Sequence, residues 1–397
     1  MITKSVNNKF ILKSLERTKF GSIKLTFGNP YSDHIFGEGE QVADVWMASP
    51  SILSDIVKGG DIELASAIIR GDIKISDEAA FIEWACKNDD VLKDSFHGKV
   101  IFTLLPRIKR LLRMNTVSGA KKNIMAHYDL GNDFYKTWLD SSMTYSSAIF
   151  SKERTEDLTL AQLVKYDRII DQLGITSQDH ILEVGCGWGG FFSRAVERTG
   201  CKVTAVMNSP AQAAHNRELI QRRQLDKNVD LRLMDYRDIS GKFDKIVSIE
   251  MIEAVGQQFW PVYFNKISSS LNQGGKALIQ SITIRENRFD DYSKNPDFIN
   301  TMIFPGGMLL TNQIISSEAK KAGMESIEKP FEFGLSYAET LQRWRDNFLK
   351  AIDSNLLPHL DDRFVNLWRF YLSYCEGAFN AERINVGHFL VEKTANS

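Results

Sequence analysis

The stretch Ile181–Phe192, ILEVGCGWGGFF, decides the fold. An apolar run ends at Glu183, the glycine-rich run 185–190 follows, and an apolar, helix-like segment comes next. This order is typical of a strand, a tight turn and the start of a helix, because such a turn needs residues that tolerate positive φ. The turn also presents the N–H groups of a helix N-terminus to a ligand. Glycine turns are common in α/β proteins, so the motif alone fits a nucleotide-like ligand and a structural turn equally well.

The segments that follow carry further strand signals at the spacing of an α/β fold. Residues 203–212 (VTAVMNSPAQ) predict a second strand and a helix start, 229–239 (VDLRLMDYRDI) a third strand, and 243–256 (FDKIVSIEMIEAVG) a fourth. A dinucleotide-binding fold would need an acidic residue at the end of the second strand, and none is present there. Strands that alternate with helices predict a mostly parallel, doubly wound α/β sheet.

The last part of the chain adds two helices and a strand. The apolar periodicity of 341–352 and 362–383 predicts helices, and 386–393 (VGHFLVEK) predicts a final edge strand. The alternation of strand and helix signals therefore continues to the end of the sequence.

The composition is that of a globular protein long enough for two domains. The 397 residues are 43% hydrophobic and 25% charged, and the net charge of −1 indicates no nucleic-acid partner. Four scattered cysteines without a CxxC pair indicate reduced thiols in a cytoplasmic protein and no metal site. We expect no signal peptide. The sequence contains no run of about 18 apolar residues that could span a bilayer. A lipid substrate would therefore be met at the membrane surface.

The N-terminal region predicts a small domain followed by a basic segment. Residues 20–37 show the alternation of short strands, and 49–73 predict helices with a break at the Gly59–Gly60 pair. Between 96 and 128 there are no acidic and seven basic residues, with apolar residues on one helical face and an interruption at Pro106. Such a segment suits either an anionic membrane surface or a solvated helix packed between domains.

The glycine run, together with MDYRD and FDKIVSIEMIEAVG, resembles the class I S-adenosylmethionine methyltransferases, and in detail it is similar to the cyclopropane-fatty-acid synthase family, mycolic acid cyclopropane synthases included. Matching segments in the family's order are NIMAHYDLGNDFYKTWLDSSMTYSSAIF (123–150), IFPGGMLL (303–310), FEFGLSYAETLQRWRDNF (331–348) and FYLSYCEGAFNAERI (370–384). The resemblance implies a Rossmann-like catalytic domain over 123–397, a basic linker over 96–122, and a small α+β, sterol-carrier-like domain over 1–95.

The resemblance implies an enzyme that transfers the methyl group of S-adenosylmethionine to a cis double bond of an unsaturated phospholipid acyl chain. A carbocation would form and close to a cyclopropane. It also implies peripheral contact with the inner face of the membrane through the basic residues of 99–122, and it admits a homodimer. The near alternative is methylation of the same alkene to a methyl-branched or methylene chain without ring closure.

Two further alternatives belong to other functional classes. An N- or O-methyltransferase would need a general base near the acceptor atom, and the only histidine near the motifs is His127. A lipid carrier with an inactive methyltransferase domain is the non-enzymatic alternative, and the intact glycine run speaks against it.

Nine positions correspond by motif to residues that bind the methyl donor. They are Tyr145, Ser146, Gly185, Gly187, Met207, Ser209, Gln212, Asp235 and Tyr236. Met207 stands where the family usually has threonine, so we expect only backbone or apolar contact there. For Tyr145 and Tyr236 the alternative is an ordinary place among the core aromatics.

The acceptor chemistry needs a base, because an alkene that has gained a methyl group must then lose a proton. In the family that this sequence resembles, the base is a bound bicarbonate. It is held by a glutamate, a histidine and a tyrosine near the cysteine of a Y-S-C turn. The corresponding residues here are Glu253, Gln280, Tyr337 and Ser147. Glu250, three residues before Glu253, is interpreted as a donor-side or structural acid.

Two of these positions depart from the family pattern. Gln280 and Ser147 keep hydrogen-bonding capacity, but neither supplies an imidazole. The resemblance therefore still implies bicarbonate as a second bound group, and the same changes also fit a member that methylates without closing a ring. Cys375 corresponds to a cysteine suspected as a nucleophile, although methyl transfer to an alkene needs no covalent enzyme intermediate. The alternative for Cys375 is a buried structural thiol.

Overall fold

The computed structural model describes residues 6–28, 31–96, 130–295 and 297–394. The strands are β1 (Gly21–Gly28), β2 (Tyr31–Glu38), β3 (Gln41–Met47), β4 (Ile73–Ile75), β5 (His180–Val184), β6 (Lys202–Met207), β7 (Val229–Leu233), β8 (Phe243–Ile249), β9 (Leu271–Ile284), β10 (Met324–Ser326), β11 (Phe331–Glu332) and β12 (Ile384–Lys393). The α-helices are α1 (Val6–Leu15), α2 (Ser51–Arg70), α3 (Glu78–Lys87), α4 (Asp89–Phe96), α5 (Gly131–Lys136), α6 (Leu158–Leu173), α7 (Gly190–Thr199), α8 (Pro210–Arg222), α9 (Trp260–Ser270), α10 (Glu286–Lys294), α11 (Asn312–Lys321), α12 (Gly334–Asp353) and α13 (Asp362–Asn380).

The described chain forms two compact units. The first takes its described residues from Met1–Leu111, Lys294–Ile303 and Trp344–Arg383, and the second takes its own from Leu112–Ser293, Phe304–Arg343 and Ile384–Ser397. This division differs from the boundaries expected near residues 95 and 122. Two segments from the second half of the chain group with the N-terminal region instead of with the sheet that carries the glycine turn.

The first unit contains a four-stranded sheet of order β2-β1-β3-β4, in which β1 pairs antiparallel with β2 and parallel with β3. The predicted break in the helical region is present, because Gly60 has a φ of 63° and kinks α2. Helix α13 packs closely on α3: a Cβ on Gly377 would lie 2.4 Å from the carbonyl oxygen of Ala79. This close approach explains why α13 belongs to the first unit.

The second unit contains an eight-stranded sheet of order β10-β12-β9-β8-β5-β6-β7, with β11 pairing with β12. Strands β5 to β9 run parallel, and β12 runs antiparallel to β9. The chain builds outward from β5 to β7 and then returns to β8 on the other side of β5. This confirms the predicted doubly wound, mostly parallel sheet. Folds of this kind bind ligands at the carboxyl ends of the strands beside the switch point. Here those strands are β5, β6 and β8.

Apolar residues cover both faces of this sheet because successive side chains of a strand point to opposite sides. Ile181 packs with α6, α7 and α8, whereas its neighbour Leu182 packs with α9 and α11. Within the described ranges, no helix is long and apolar enough to cross a bilayer.

The predicted edge strand is wrong in its position. Strand β12 lies inside the sheet, with β9 on one side and β10 and β11 on the other. The burial of the strand gives the physical reason. All residues from Val386 to Val391 are buried. A strand is buried to this extent only when both of its faces and both of its edges are covered.

Candidate active site

The glycine turn lies between β5 and α7 and leaves space beside one of its glycines. Gly185, Gly187 and Gly189 have φ angles of 84°, 49° and 87°. A Cβ on Gly185 would lie 2.8 Å from Met251 Cγ, and one on Gly189 would lie 2.5 Å from Phe192 Cζ, so packing requires glycine at both. A Cβ on Gly187 would meet no protein atom within 4 Å. The turn therefore leaves open space beside the backbone at Gly187, where a ligand could approach closely.

The residues predicted after β6 lie at the start of α8. Ser209 is the N-cap of that helix, and its Oγ accepts a hydrogen bond from the backbone N–H of Gln212 at 3.3 Å. Met207 ends β6, and its sulfur lies 3.8 Å from Nδ2 of Asn216. All three predicted residues are buried at the ligand-binding edge of the sheet.

After β7, Asp235 forms a charged pair with Arg237, and the half-buried Tyr236 has a buried hydroxyl. Burial acts to raise the pKa of Asp235, but hydrogen bonds from Arg237 outweigh it and lower that pKa. Arg237 holds both carboxylate oxygens at 2.7 Å. Burial raises the pKa of Tyr236 to about 12, and its hydroxyl is a buried polar atom for which the described residues provide no hydrogen-bond partner. A bound ligand could supply that partner.

The two residues predicted in the MTYSS turn have different surroundings. The ring of Tyr145 packs 5.6 Å from the rings of both Tyr135 and Trp138, in an aromatic cluster that sequence reasoning missed. Ser146 is buried, and its Oγ accepts a hydrogen bond from Lys165 Nζ at 2.6 Å. The turn thus joins an aromatic surface to a buried charge.

Glu250 lies directly after β8 and is the point on which the predicted catalytic residues converge. Its Oε1 accepts hydrogen bonds from the backbone N–H of Ser147 at 2.9 Å and from Nε2 of Gln280 at 2.7 Å. Its Oε2 accepts one from the Tyr337 hydroxyl at 2.6 Å. Burial raises the pKa of Glu250, and these hydrogen bonds and the charge of Lys165 act in the opposite direction.

The sheet register and one helix face set this geometry. Gln280 of β9 is paired with Ile249, the residue before Glu250, on one side and with His388 of β12 on the other. Tyr337 lies on α12, where Thr340, one turn later, accepts a hydrogen bond from the backbone N–H of Ala148 at 3.1 Å. Strands β8 and β9, helix α12 and the MTYSS turn therefore all fix groups around one carboxylate.

Glu253 is held apart from this group. Its Oε1 accepts hydrogen bonds from the backbone N–H of Ile282 at 2.6 Å and from Oγ of Ser281 at 3.0 Å. Its Oε2 is buried, and the described part of the chain gives it no partner. Burial, together with the nearby charge of Glu250, raises the pKa of Glu253 to about 8, so the side chain is mainly a neutral acid at neutral pH.

Replacing Glu253 with glutamine is expected to stabilise the protein at alkaline pH. The folded-state pKa, about 8, exceeds the ordinary value of 4.5, so folding favours the protonated acid and stability falls as pH rises between these values. Glutamine does not ionise, so the gain should reach a few kcal/mol at most, at about 1.4 kcal/mol per pKa unit. Urea unfolding above and below this window measures it. An equal gain at both pH values would contradict the assignment of a protonated Glu253.

Lys165 is a functional candidate that sequence reasoning missed. It lies on the buried face of α6, four residues after Ala161 and four before Ile169, and is itself completely buried. Burial lowers the pKa of Lys165 to about 7, opposed by the charges of Glu250, Asp140 and Glu183. The signal in the sequence was a lysine on the apolar face of an amphipathic helix, where lysine is rare unless a charge compensates it.

His388 is the second missed residue. Its Nε2 donates a hydrogen bond to Gln280 Oε1 at 3.0 Å, since an amide oxygen can only accept. Burial lowers the pKa of His388 well below its usual range, so the ring is neutral. An imidazole therefore lies behind Gln280 and orients its amide toward Glu250. The prediction of an edge strand concealed this residue, because it implied an exposed side chain.

The remaining predicted groups lie in the first unit or outside the described residues. Cys375 belongs to the first unit, and burial raises the pKa of its thiol, which leaves it a poor nucleophile. The basic segment 99–122 and His127 lie outside the described residues. Among the residues that are described, no group of histidine, cysteine, aspartate and glutamate side chains could hold a metal ion.

Comparison with known proteins gives the family. The family model described as mycolic acid cyclopropane synthetase matches residues 116–389. The tuberculostearic acid methyltransferase UfaA1 of Mycobacterium tuberculosis is 36% identical over 276 residues, which is 67% of this chain and 64% of that protein, slightly less than two thirds of its length. The cyclopropane-fatty-acyl-phospholipid synthase of Escherichia coli is 29% identical over 358 residues, covering 88% of this chain and 87% of the relative.

A solved structure agrees with this result. The mycolic acid cyclopropane synthase CmaA1, crystallised with SAH and CTAB, superposes with a TM-score of 0.64 and 28% identity, over 69% of this chain and 98% of that one. The chain therefore belongs to the mycolic acid cyclopropane synthetase family of S-adenosylmethionine-dependent methyltransferases.

Proposed function

We propose that the protein transfers a methyl group to a cis double bond of an unsaturated phospholipid acyl chain and closes a cyclopropane through a carbocation. One observation carries this proposal: the buried carboxylate of Glu250 lies next in sequence to Met251, whose side chain packs against Gly185 of the donor turn. A base and a donor site thus share one edge of the sheet. The Escherichia coli relative is a cyclopropane-fatty-acyl-phospholipid synthase, which supports the phospholipid substrate.

The donor site is proposed to form from the residues identified by motif. S-Adenosylmethionine, when bound, supplies an electrophilic methyl group on a sulfonium. The residues that would hold it are Tyr145, Ser146, Gly185, Gly187, Met207, Ser209, Gln212, Asp235 and Tyr236. Gly187 would give close backbone approach, Tyr236 a buried hydroxyl, and Asp235, fixed by Arg237, a charged acceptor for hydroxyl groups.

The acceptor site is proposed to lie among buried groups that exclude water. An alkene that attacks a methyl group becomes a cation, which aromatic faces can stabilise. The cluster of Tyr135, Trp138 and Tyr145 provides such faces next to Ser146. Glu250 and Tyr337 add a carboxylate and a phenol, and Glu253 adds a second, mainly neutral acid close enough for its pKa to respond to Glu250.

A second candidate product is a methyl-branched or methylene chain formed without ring closure. Gln280 and Ser147 replace the histidine and cysteine of the family pattern. In addition, the tuberculostearic acid methyltransferase is 36% identical to this chain. The cyclopropane and the methylene chain share methyl transfer and loss of a proton from the new methyl group. The methylene chain also needs a hydride shift that moves the cation to the methylated carbon, and a saturated methyl branch would need a reductant in addition.

Lipid extracts of cells that express the protein test the function. We expect unsaturated phospholipid acyl chains to gain the mass of one CH₂ group, and the products to resist mild hydrogenation. Cells that express the Gly187→Val variant are the control. A product that takes up hydrogen and becomes a saturated branched chain would favour the methylene product, and no CH₂ gain in any acyl chain would contradict the proposal.

Membrane contact is proposed to use the basic segment 99–122. Replacing Arg107, Lys109, Arg110 and Arg113 with glutamine should weaken binding to anionic vesicles, since each basic residue near such a surface contributes about 1 kcal/mol. Turnover on vesicle-borne lipid should fall, and salt should reproduce the effect in the wild type. Turnover on detergent-dispersed lipid should change little. Equal losses with both substrates would mean that the segment supports the fold instead.

A further inference from the structure

The arrangement around Glu250 does not fit a bound bicarbonate. The resemblance would have a bicarbonate held by the groups at Ser147, Gln280 and Tyr337. In the structure all three donate to the carboxylate of Glu250, at 2.6 to 2.9 Å. A carboxylate and a bicarbonate present the same planar pair of oxygens to such donors. The side chain of Glu250 therefore occupies the place that the resemblance gives to a bicarbonate taken up from solution.

We infer that Glu250 is the proton acceptor of the reaction, a covalently attached substitute for bicarbonate. This inference rests on the proposed function, because it assigns the base for the proton that the alkylated chain must lose. Glu250 was interpreted from the sequence as a donor-side or structural acid, and its contacts are the reason to assign it a chemical role.

Hydrogen-bond capacity leaves room for this role. An ionised carboxylate offers about four lone-pair sites, and three are used, two on Oε1 and one on Oε2. One site on Oε2 remains available for a substrate proton. Tyr337, which donates to the same oxygen, would then keep that oxygen aimed at the substrate.

The charge of Lys165 counteracts part of the effect of burial on Glu250. Lys165 is completely buried on α6, and its positive charge opposes the effect of burial on Glu250. The Oε1 atom of Glu253 is occupied by Ile282 and Ser281, and the charge of Glu250 adds to the effect of burial in raising the pKa of Glu253. Of the two acids, Glu250 is the one with a charge partner.

The backbone supplies independent support. Glu250 has a φ of 48°, in the left-handed region where glycine is favoured and a glutamate is strained. Such strain persists where the surrounding structure determines it, and it is concentrated at functional sites. A glycine at this position would fold without strain but would leave the three donors without a carboxylate. The strained φ of Glu250 therefore accompanies the carboxylate to which the three groups donate.

Methyl transfer and ring closure release one proton. The π electron pair of the alkene forms a C–C bond to the methyl group, the C–S bond breaks with its pair remaining on sulfur, and the neighbouring carbon becomes a cation. A C–H bond of the new methyl group then breaks, its electron pair closes the ring, and its proton goes to Oε2 of Glu250. The resulting carboxylic acid returns the proton to water after the product leaves.

Two substitutions at this position separate the chemical role from a structural one. Glu250→Gln keeps the shape and one acceptor oxygen, but its amide cannot accept a proton, so turnover should fall about a hundredfold or more while the affinity for S-adenosylmethionine changes little. Glu250→Gly relieves the strained φ and opens a space of carboxylate size. Bicarbonate should restore turnover to Glu250→Gly in a dose-dependent manner, and it should not restore Glu250→Gln, whose amide still fills the space.

Bicarbonate binding gives a readout that needs no turnover. The signal of ¹³C-labelled bicarbonate should broaden with Glu250→Gly and stay unchanged with wild type. Wild-type turnover should not depend on bicarbonate. Bicarbonate broadening with wild type, loss of wild-type turnover on bicarbonate depletion, or full turnover by Glu250→Gln would each overturn the inference. Failure of wild type to modify any acyl chain would contradict the proposed function, whereas the binding comparison would still test the place of Glu250.

Discussion

Gly187→Val is expected to abolish binding of S-adenosylmethionine, with a loss of affinity of at least about a hundredfold, or ~2.7 kcal/mol. A Cβ at this position meets no protein atom within 4 Å, so the isopropyl group would extend into the space that the donor needs. The φ of 49° is also unfavourable for a β-branched residue. Titration calorimetry with the purified protein measures the loss.

Two further variants separate occlusion from strain and from loss of folding. Gly187→Asn should also lose binding, because asparagine tolerates positive φ but its side chain fills the same space. Gly190→Ala places a Cβ 2.4 Å from the Tyr166 hydroxyl and should lower stability by about 1–3 kcal/mol, with a smaller effect on affinity. Unchanged affinity in both Gly187 variants would remove the turn from the donor site.

Lys165→Met is expected to reduce turnover at pH 7 by about tenfold or more and to restore much of it at higher pH. The positive charge of Lys165 lowers the pKa of Glu250 against the effect of burial. Without that charge the pKa of Glu250 rises further, so the carboxylate is ionised only at more alkaline pH. The acidic limb of the pH–rate profile should therefore move to higher pH by about one unit or more.

The shape of the profile distinguishes this role from a structural one. Methionine fills a similar volume without a charge, so the variant should fold and bind S-adenosylmethionine. A profile that is lower at every pH, with its acidic limb in the original place, would show that Lys165 only supports packing around Ser146.

The fold could be predicted because its signals are local. The glycine turn, the strand that precedes it and the following strand–helix units each carry their pattern within about a dozen residues, and each is present in the structure. The position of β12 could not be predicted, because an interior antiparallel strand and an edge strand share the same apolar alternation. Only the pairing with β9, β10 and β11 distinguishes them.

The structure brings together three residues that the sequence grouped, but around a different acid. Ser147, Gln280 and Tyr337 are brought together, yet around Glu250 instead of Glu253. The choice between two acids three residues apart depends on where β8 ends and on a positive φ at the next residue, neither of which the spacing reveals. Lys165 could not be identified as a functional candidate from the sequence either, because only the packed fold shows which charges compensate it.

Transfer of a labelled methyl group tests the central claim most directly. Purified protein would be incubated with S-adenosylmethionine carrying a CD₃ group and with vesicles of a cis-monounsaturated phospholipid, and the acyl chains would be analysed by mass spectrometry. We predict acyl chains that have gained CD₂, because one deuteron leaves with the base, and that resist hydrogenation because a ring has closed. Label in the head group, or no label in any acyl chain while S-adenosylmethionine binds normally, would contradict the account.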